Sequence, residues 1–275
     1  MKLASARGRA ALVRGDEIAD IAEVSGGRFG PDPMDLYDDW EAFAQFAQGP
    51  VSTTGPLVEA DLRCPVPAPG QVFAIGVNYR SHAEEAGMAI PDVPATFTKF
   101  PACLAGPFDD IEIVGETTDW EVELVVVVGR RAEHIEEAEA WSHVAGLTVG
   151  QDVSDRHLQF AAGGQFSLGK SRRSYGPMGP WVVSPDELAD PDDLALGCSI
   201  DGEKVQEGRT SDLVFSVPRL VAELSAVLPL LPGDVIFTGT PAGVGVTRQP
   251  PRFLQQGQIL ESWVEGIGSI RNRCV

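Results

Sequence analysis

The segment Asp119-Trp120-Glu121-Val122-Glu123-Leu124 runs straight into four valines, Val125 to Val128. Side chains alternate faces along a strand. In a strand, Asp119, Glu121 and Glu123 therefore share one face, and Trp120, Val122 and Leu124 share the other. Carboxylates crowded at the mouth of a core strand repel one another and resist desolvation unless something compensates them. A divalent cation is the economical compensation, and an all-oxygen ligand set suits Mg²⁺, Mn²⁺ or Ca²⁺ rather than zinc. A solvated acidic face is the alternative reading in a chain of net charge −19. Asp152 follows an expected strand at Leu147 to Val149. It fits either a ligand at a strand end or a helix cap.

His82 and Glu85 form a second candidate group. They stand three residues apart in Ser81-His82-Ala83-Glu84-Glu85, with Ser81 and Glu84 in the pattern of a capping box. On a helix they share one face. A carboxylate beside an imidazole orients it and raises its basicity, which suits a water-activating base, although a surface ion pair has the same spacing. The Gly- and Pro-containing stretch Ala86 to Asp92 reads as a lid over such a site. Gly164 to Ser171 matches the letters of a phosphate-binding loop. However, Gly176-Pro177 and Gly179-Pro180 follow too closely for the helix that motif requires. Lys170 remains as a cation facing the acidic cluster. Ser167 lacks the flanking glycines of a nucleophile elbow, so a serine-hydrolase triad is not expected. Pro232 to Gly245 reads as a buried strand entering a glycine-rich turn that carries Thr240 and suits a carboxylate, or as an ordinary turn.

The elements that must position these groups are short. Strands are expected at Val72–Val77, Glu121–Val128, Leu147–Val149, Trp181–Val183, Leu196–Ile200, Asp234–Thr238 and Ile259–Val264, with a longer helix near Val217–Val227. With 30 Gly and 21 Pro in 275 residues, this pattern points to an α+β, mostly β, sandwich or roll. Residues 1–66 read as a small N-terminal domain: a hairpin around Arg14-Gly15-Asp16, then a helix capped by Asp32 and running through Phe46. The proline-rich stretch Cys64 to Gly70 serves as the linker into a catalytic domain at 67–275. The apolar fraction of 43% excludes a disordered chain. The excess of 40 acidic over 21 basic residues argues against nucleic acid and anionic membranes as partners. The longest apolar run falls far short of the ~20 residues of a spanning helix. Four scattered cysteines without a C-x-x-C fit reduced thiols in the cytoplasm.

Five segments in order, Ile75–Glu85, Asp119–Leu124, Gln151–Gln159, Gly169–Ser171 and Pro232–Pro241, make residues 70–273 resemble the fumarylacetoacetate hydrolase family. The resemblance implies a mixed β-sandwich roll, a homodimer, and Mg²⁺ or Mn²⁺ held by Glu121, Glu123 and Asp152. It implies His82 and Glu85 as the water-activating dyad, and Lys170, Arg156 and Gln159 at the substrate's keto-acid end or its developing oxyanion. Thr240 becomes a substrate-binding turn residue. The implied reaction is hydrolysis of a C–C bond in an acylpyruvate-like 2,4-diketo acid through an enolate. Oxaloacetate-type decarboxylation, 2-hydroxydienoate isomerisation, or a non-catalytic binding role are the alternatives. Gln151, Asp155 and His157 depart from the family pattern, and Arg172 and Arg173 are open to recognising a second acidic group.

Overall fold

The computed structural model describes residues 1–161 and 163–275. Its centre is the strand Val122–Val128, in which every residue is buried. This strand pairs antiparallel with Val144–Gln151 on one side and with Val235–Phe237 on the other. Val235–Phe237 pairs in turn, in parallel, with Val72–Gly76, and that strand pairs with Ala95–Thr98 at the sheet's end. The central alternation carries two cores. Val122, Leu124, Val126 and Val128 pack with Leu196, Cys198, Leu260 and Ile270 of a second, four-stranded sheet. Val125 and Val127 face the opposite way, against Trp40, Phe43 and Phe237. A strand covered on both faces tolerates the unbroken valine run.

The larger sheet has twelve strands among the described residues. The expected hairpin forms from Arg9–Arg14 and Glu17–Asp20. A strand absent from the expectations, Lys2–Ala6, joins that hairpin to Gly176–Val183. The expected helix over 32–46 divides into a 3-10 turn, Pro33–Asp39, and an α-helix, Trp40–Gln48. Asp32 caps the former through Met34 N, and Asp39 caps the latter through Ala42 N. Trp40 packs so closely on Gly129 that a side chain there would meet the indole ring. The four cysteines are buried and free. Among the described residues, no helix is long and apolar enough to cross a membrane.

Candidate active site

Two neighbouring strands and a chain crossing deliver the acidic groups. Glu123 lies within Val122–Val128, directly across from Gly150 of Val144–Gln151. Glu121 lies just before the first strand and Asp152 just after the second, and Asp152 N donates to Glu121 O at 2.9 Å. The ladder thus brings Glu121, Glu123 and Asp152 to one end of the sheet, with one carboxylate oxygen from each within 4.8 Å of the others. All three are buried. Gly150 is needed in this ladder, because a Cβ there would stand 2.5 Å from Val125.

Asp119 does not join them. The strand begins at Val122, and Thr118–Asp119 forms a separate ladder with Ser154–Asp155. The Asp119 carboxylate accepts from Trp120 N, Gly245 N and Val246 N, and it binds Arg156 at 2.8 Å. The alternation holds for Glu121 and Glu123, but the chain turns between ladders and takes Asp119 off their face. The helix Arg156–Ala161 is capped by Asp155, which accepts from Leu158 N, so Asp152 is not a helix cap.

Three cations enter the cluster. Lys170 Nζ lies 2.7 Å from both Glu121 and Asp152. Arg156 pairs with Glu121 at 2.7 Å. Lys99, which the sequence reading missed, is fully buried and donates to the other oxygen of Asp152 at 2.6 Å and to Tyr175 O. A lone lysine after the strand Ala95–Thr98 gives little signal of this role. Its partner strands lie more than fifty residues away in the chain. Burial works against the Lys99 charge, but Asp152 outweighs it and holds its pKa above the ordinary value.

Burial also opposes ionisation of Glu121, yet Lys170 and Arg156 prevail and bring its pKa down to about 2. Glu123 is the opposite case. Burial, then Asp152 and Glu121, push its carboxyl well above the usual range. One Glu123 oxygen accepts from Gly239 N at 2.8 Å, and no cation pairs with it among the described residues. Four buried carboxylates, counting Asp119, therefore stand against three cations. A deficit centred on Glu123, within a cluster of hard oxygen donors, fits a divalent cation of the Mg²⁺ or Mn²⁺ type.

His82 and Glu85 sit on the helix Arg80–Ala86. His82 Nδ1 lies 3.3 Å from a Glu85 oxygen, and Glu85 also accepts from Gly243 N at 3.0 Å. The helix is not capped by Ser81, as the sequence pattern suggested. It begins at Arg80, with Tyr79 in the cap position, and the Asp212 carboxylate accepts from both Ser81 N and Ser81 Oγ. A distant chain segment thus replaces the local cap. The helix ends at Gly87, which takes the left-handed conformation.

One cavity of about 400 Å³ gathers His82, Glu85, Glu121, Arg156, Gln159 and Lys170, and Thr240 also lines it. Thr240 Oγ1 donates to Val122 O and accepts from Gln206, so its hydroxyl is already engaged in holding the turn. Gln159 accepts from Arg156 through its carbonyl oxygen. Met88, from the expected lid stretch, lines the cavity too. His157 is exposed and Arg173 is mostly so, while Arg172 pairs with Asp155. None of these three lines the cavity. The segment 164–171 follows a helix rather than a strand and enters turns, which disposes of a phosphate-binding loop.

Three convergent carboxylates that could hold a metal ion at one end of a mixed sheet, with a His–Glu pair in the cavity that Glu121 also lines, define a site of the fumarylacetoacetate hydrolase class. The family profile for the fumarylacetoacetate (FAA) hydrolase C-terminal region matches residues 71–275, and the chain belongs to that family. It is 41% identical over 223 residues to a human protein named oxaloacetate tautomerase FAHD2A, mitochondrial. That alignment spans 80% of this chain and 71% of the relative. A Mycobacterium smegmatis structure provisionally named HpcE is 48% identical, with a TM-score of 0.96 over 100% of this chain and 99% of that one. The maleylpyruvate hydrolase of Sphingobium sp. SYK-6, solved with manganese(II) and pyruvate, is 29% identical. Its TM-score is 0.81 over 100% of this chain and 99% of that one.

Proposed function

We propose that this chain is a divalent-metal-dependent hydrolase that cleaves the C–C bond of an acylpyruvate-like 2,4-diketo acid. The observation that carries this reading is His82, paired with Glu85 through Nδ1 and lining the same cavity as Glu121, Arg156 and Lys170. A divalent cation at Glu121, Glu123 and Asp152 supplies Lewis acidity that stabilises enolate charge. Arg156 and Lys170 attract the keto-acid carboxylate electrostatically, and Gln159 borders the same end. His82, held through Nδ1, presents Nε2 as the base that takes a proton from water. Glu85 stabilises the resulting imidazolium. Hydroxide adds to the distal carbonyl and the bond to the methylene carbon breaks. The departing pyruvate enolate then regains a proton from His82. The products are pyruvate and one carboxylic acid, with one water consumed. The manganese and pyruvate in the maleylpyruvate hydrolase structure support the assignment.

The second reading is keto–enol tautomerisation of a 2-keto acid, favoured by the name of the human relative. It needs the same enolate and no attacking water. Product mass separates the two, since only hydrolysis yields pyruvate plus a second acid; free carbon dioxide would mark decarboxylation. Variants test the roles. Glu123→Ala is expected to abolish Mn²⁺ binding in calorimetry, and unchanged affinity would refute the ligand set. His82→Ala is expected to cost about 10²-fold or more in hydrolysis while Mn²⁺ affinity holds. Unchanged hydrolysis would remove His82 as the base.

A further inference from the structure

The remaining wall of the cavity bears on the substrate's far end. Phe97 lies next to the reacting groups, its ring centroid 5.5 Å from Lys170 Nζ. Phe166 packs edge-on against Phe97, centroids 5.6 Å apart. Ile75 and Val246 line the cavity beside them, and Phe160 and Met88 line it while more than half exposed, at the solvent side. A molecule whose keto-acid end meets Lys170 and Arg156 must therefore run outward past aromatic and aliphatic side chains. The cavity volume lies within the ~300–1,000 Å³ range of sites for drug-sized ligands, so it has room for such a tail.

Among the described residues, that wall offers a second carboxylate no cation of its own. The lining cations among them are Arg156, Lys170 and, when protonated, His82, and the proposed reaction already assigns the first two to the keto-acid end and His82 to the attacking water. Arg172 and Arg173, the candidates for a second acidic group, lie outside the lining; Arg172 pairs with Asp155 at 2.8 Å, and Arg173 points to solvent, 85% exposed. Glu85 does line the cavity and would repel a distal anion. A carboxylate held against the phenyl rings would lose hydration without gaining a partner.

We infer that the preferred substrate has a single carboxylate, at its keto-acid end, and an apolar alkyl or aryl acyl tail that lies along Phe97 and Phe166. The inference rests on the hydrolase reading of this site, but its test does not. Two acids of equal carbon number, 2,4-dioxooctanoic acid and 2,4-dioxooctanedioic acid, differ only in a terminal methyl or carboxyl group. Their affinities for the Mn²⁺-loaded protein can be compared by calorimetry, and their turnover followed separately by pyruvate release. The monoacid is expected to bind at least about tenfold more tightly, a discrimination typical of such pockets. Phe166→Arg is expected to narrow or reverse the gap by giving the distal carboxylate a partner. Equal or tighter binding of the diacid to the natural chain would overturn the inference. Ordered binding without turnover of either acid would sink the hydrolase reading and leave the tail assignment standing.

Discussion

In the folded chain every oxygen of Glu121 and Asp152 faces a cation: Arg156 and Lys170 take those of Glu121, and Lys99 and Lys170 take those of Asp152. Only Glu123 keeps an oxygen without a partner among the described residues. A divalent ion held by all three carboxylates therefore competes with the Lys170 ammonium for the same oxygens. Lys170→Met frees one oxygen on each of two ligands. Mn²⁺ is expected to bind this variant about tenfold more tightly in calorimetry, a gain of ~1.4 kcal/mol, while turnover falls because the substrate loses a cation. Weaker Mn²⁺ binding would show that the lysine assists the ion instead. Protons compete as well. The raised Glu123 carboxyl holds its proton in the folded, metal-free state more tightly than in the unfolded chain. Glu123's own contribution to metal-free stability is therefore fully present below the ordinary carboxylate pKa and is lost as pH rises through the raised one, opposite in sign to that of Glu121, whose carboxyl is lowered. Metal uptake must expel that proton. Calorimetric titrations in buffers of different ionisation enthalpy are expected to report proton release, and Mn²⁺ affinity is expected to rise with pH.

At the scale of elements, the turn after Val235–Phe237 holds Glu123 in place. Gly239 has φ of +102°, and a Cβ there would meet the Asn78 side chain at 2.8 Å. That conformation aims Gly239 N–H at Glu123, while Asn78 ties the turn together by donating to Thr238 O and Phe215 O. Gly239→Ala combines a left-handed backbone with a steric conflict, so it is expected to cost about 1–3 kcal/mol, read as a lowered Tm, and to weaken Mn²⁺ binding. An unchanged Tm would show that the turn relaxes freely. Val77, between the strand Val72–Gly76 and the helix bearing His82, also has positive φ, at 54°, a rare state for a β-branched residue. It lines the cavity, where the chain must bend sharply to bring the helix over the carboxylates. Such elements were largely legible in advance. The valine run and the alternation around Glu121 to Leu124 specify a core strand, and the helix expected at Val217–Val227 from its apolar spacing forms as Val217–Ser225. The strand Lys2–Ala6 was not legible, because most of its residues are small and, although one edge pairs with the neighbouring Arg9–Arg14, the pairing that ties it into the large sheet is with Gly176–Val183, about 180 residues away.

Across the whole molecule, two sheets share a core through the even-numbered side chains of Val122–Val128. Gln151 links them, accepting from Glu121 N and donating to Ser262 Oγ in the smaller sheet. The assembly implied by the family pattern belongs to this scale. Sedimentation is expected to give about twice the chain mass of 29.3 kDa, and a monomer at working concentration would refute the homodimer.

Residue type and local spacing determined, without the fold, that Glu121 and Glu123 share a face, that His82 and Glu85 stand within pairing distance on one helical face, and that an all-oxygen donor set, if it holds an ion, suits a hard cation. These follow from strand and helix periodicity and from ligand chemistry, which act over a few residues. Tertiary structure alone decided which acids converge. It turned Asp119 away to hold Arg156, capped the His82 helix with Asp212, and buried Lys99 against Asp152. The reason is physical: buried charges must be balanced by whatever partners the fold brings within hydrogen-bond range, and those partners come from segments that the chain order keeps far apart.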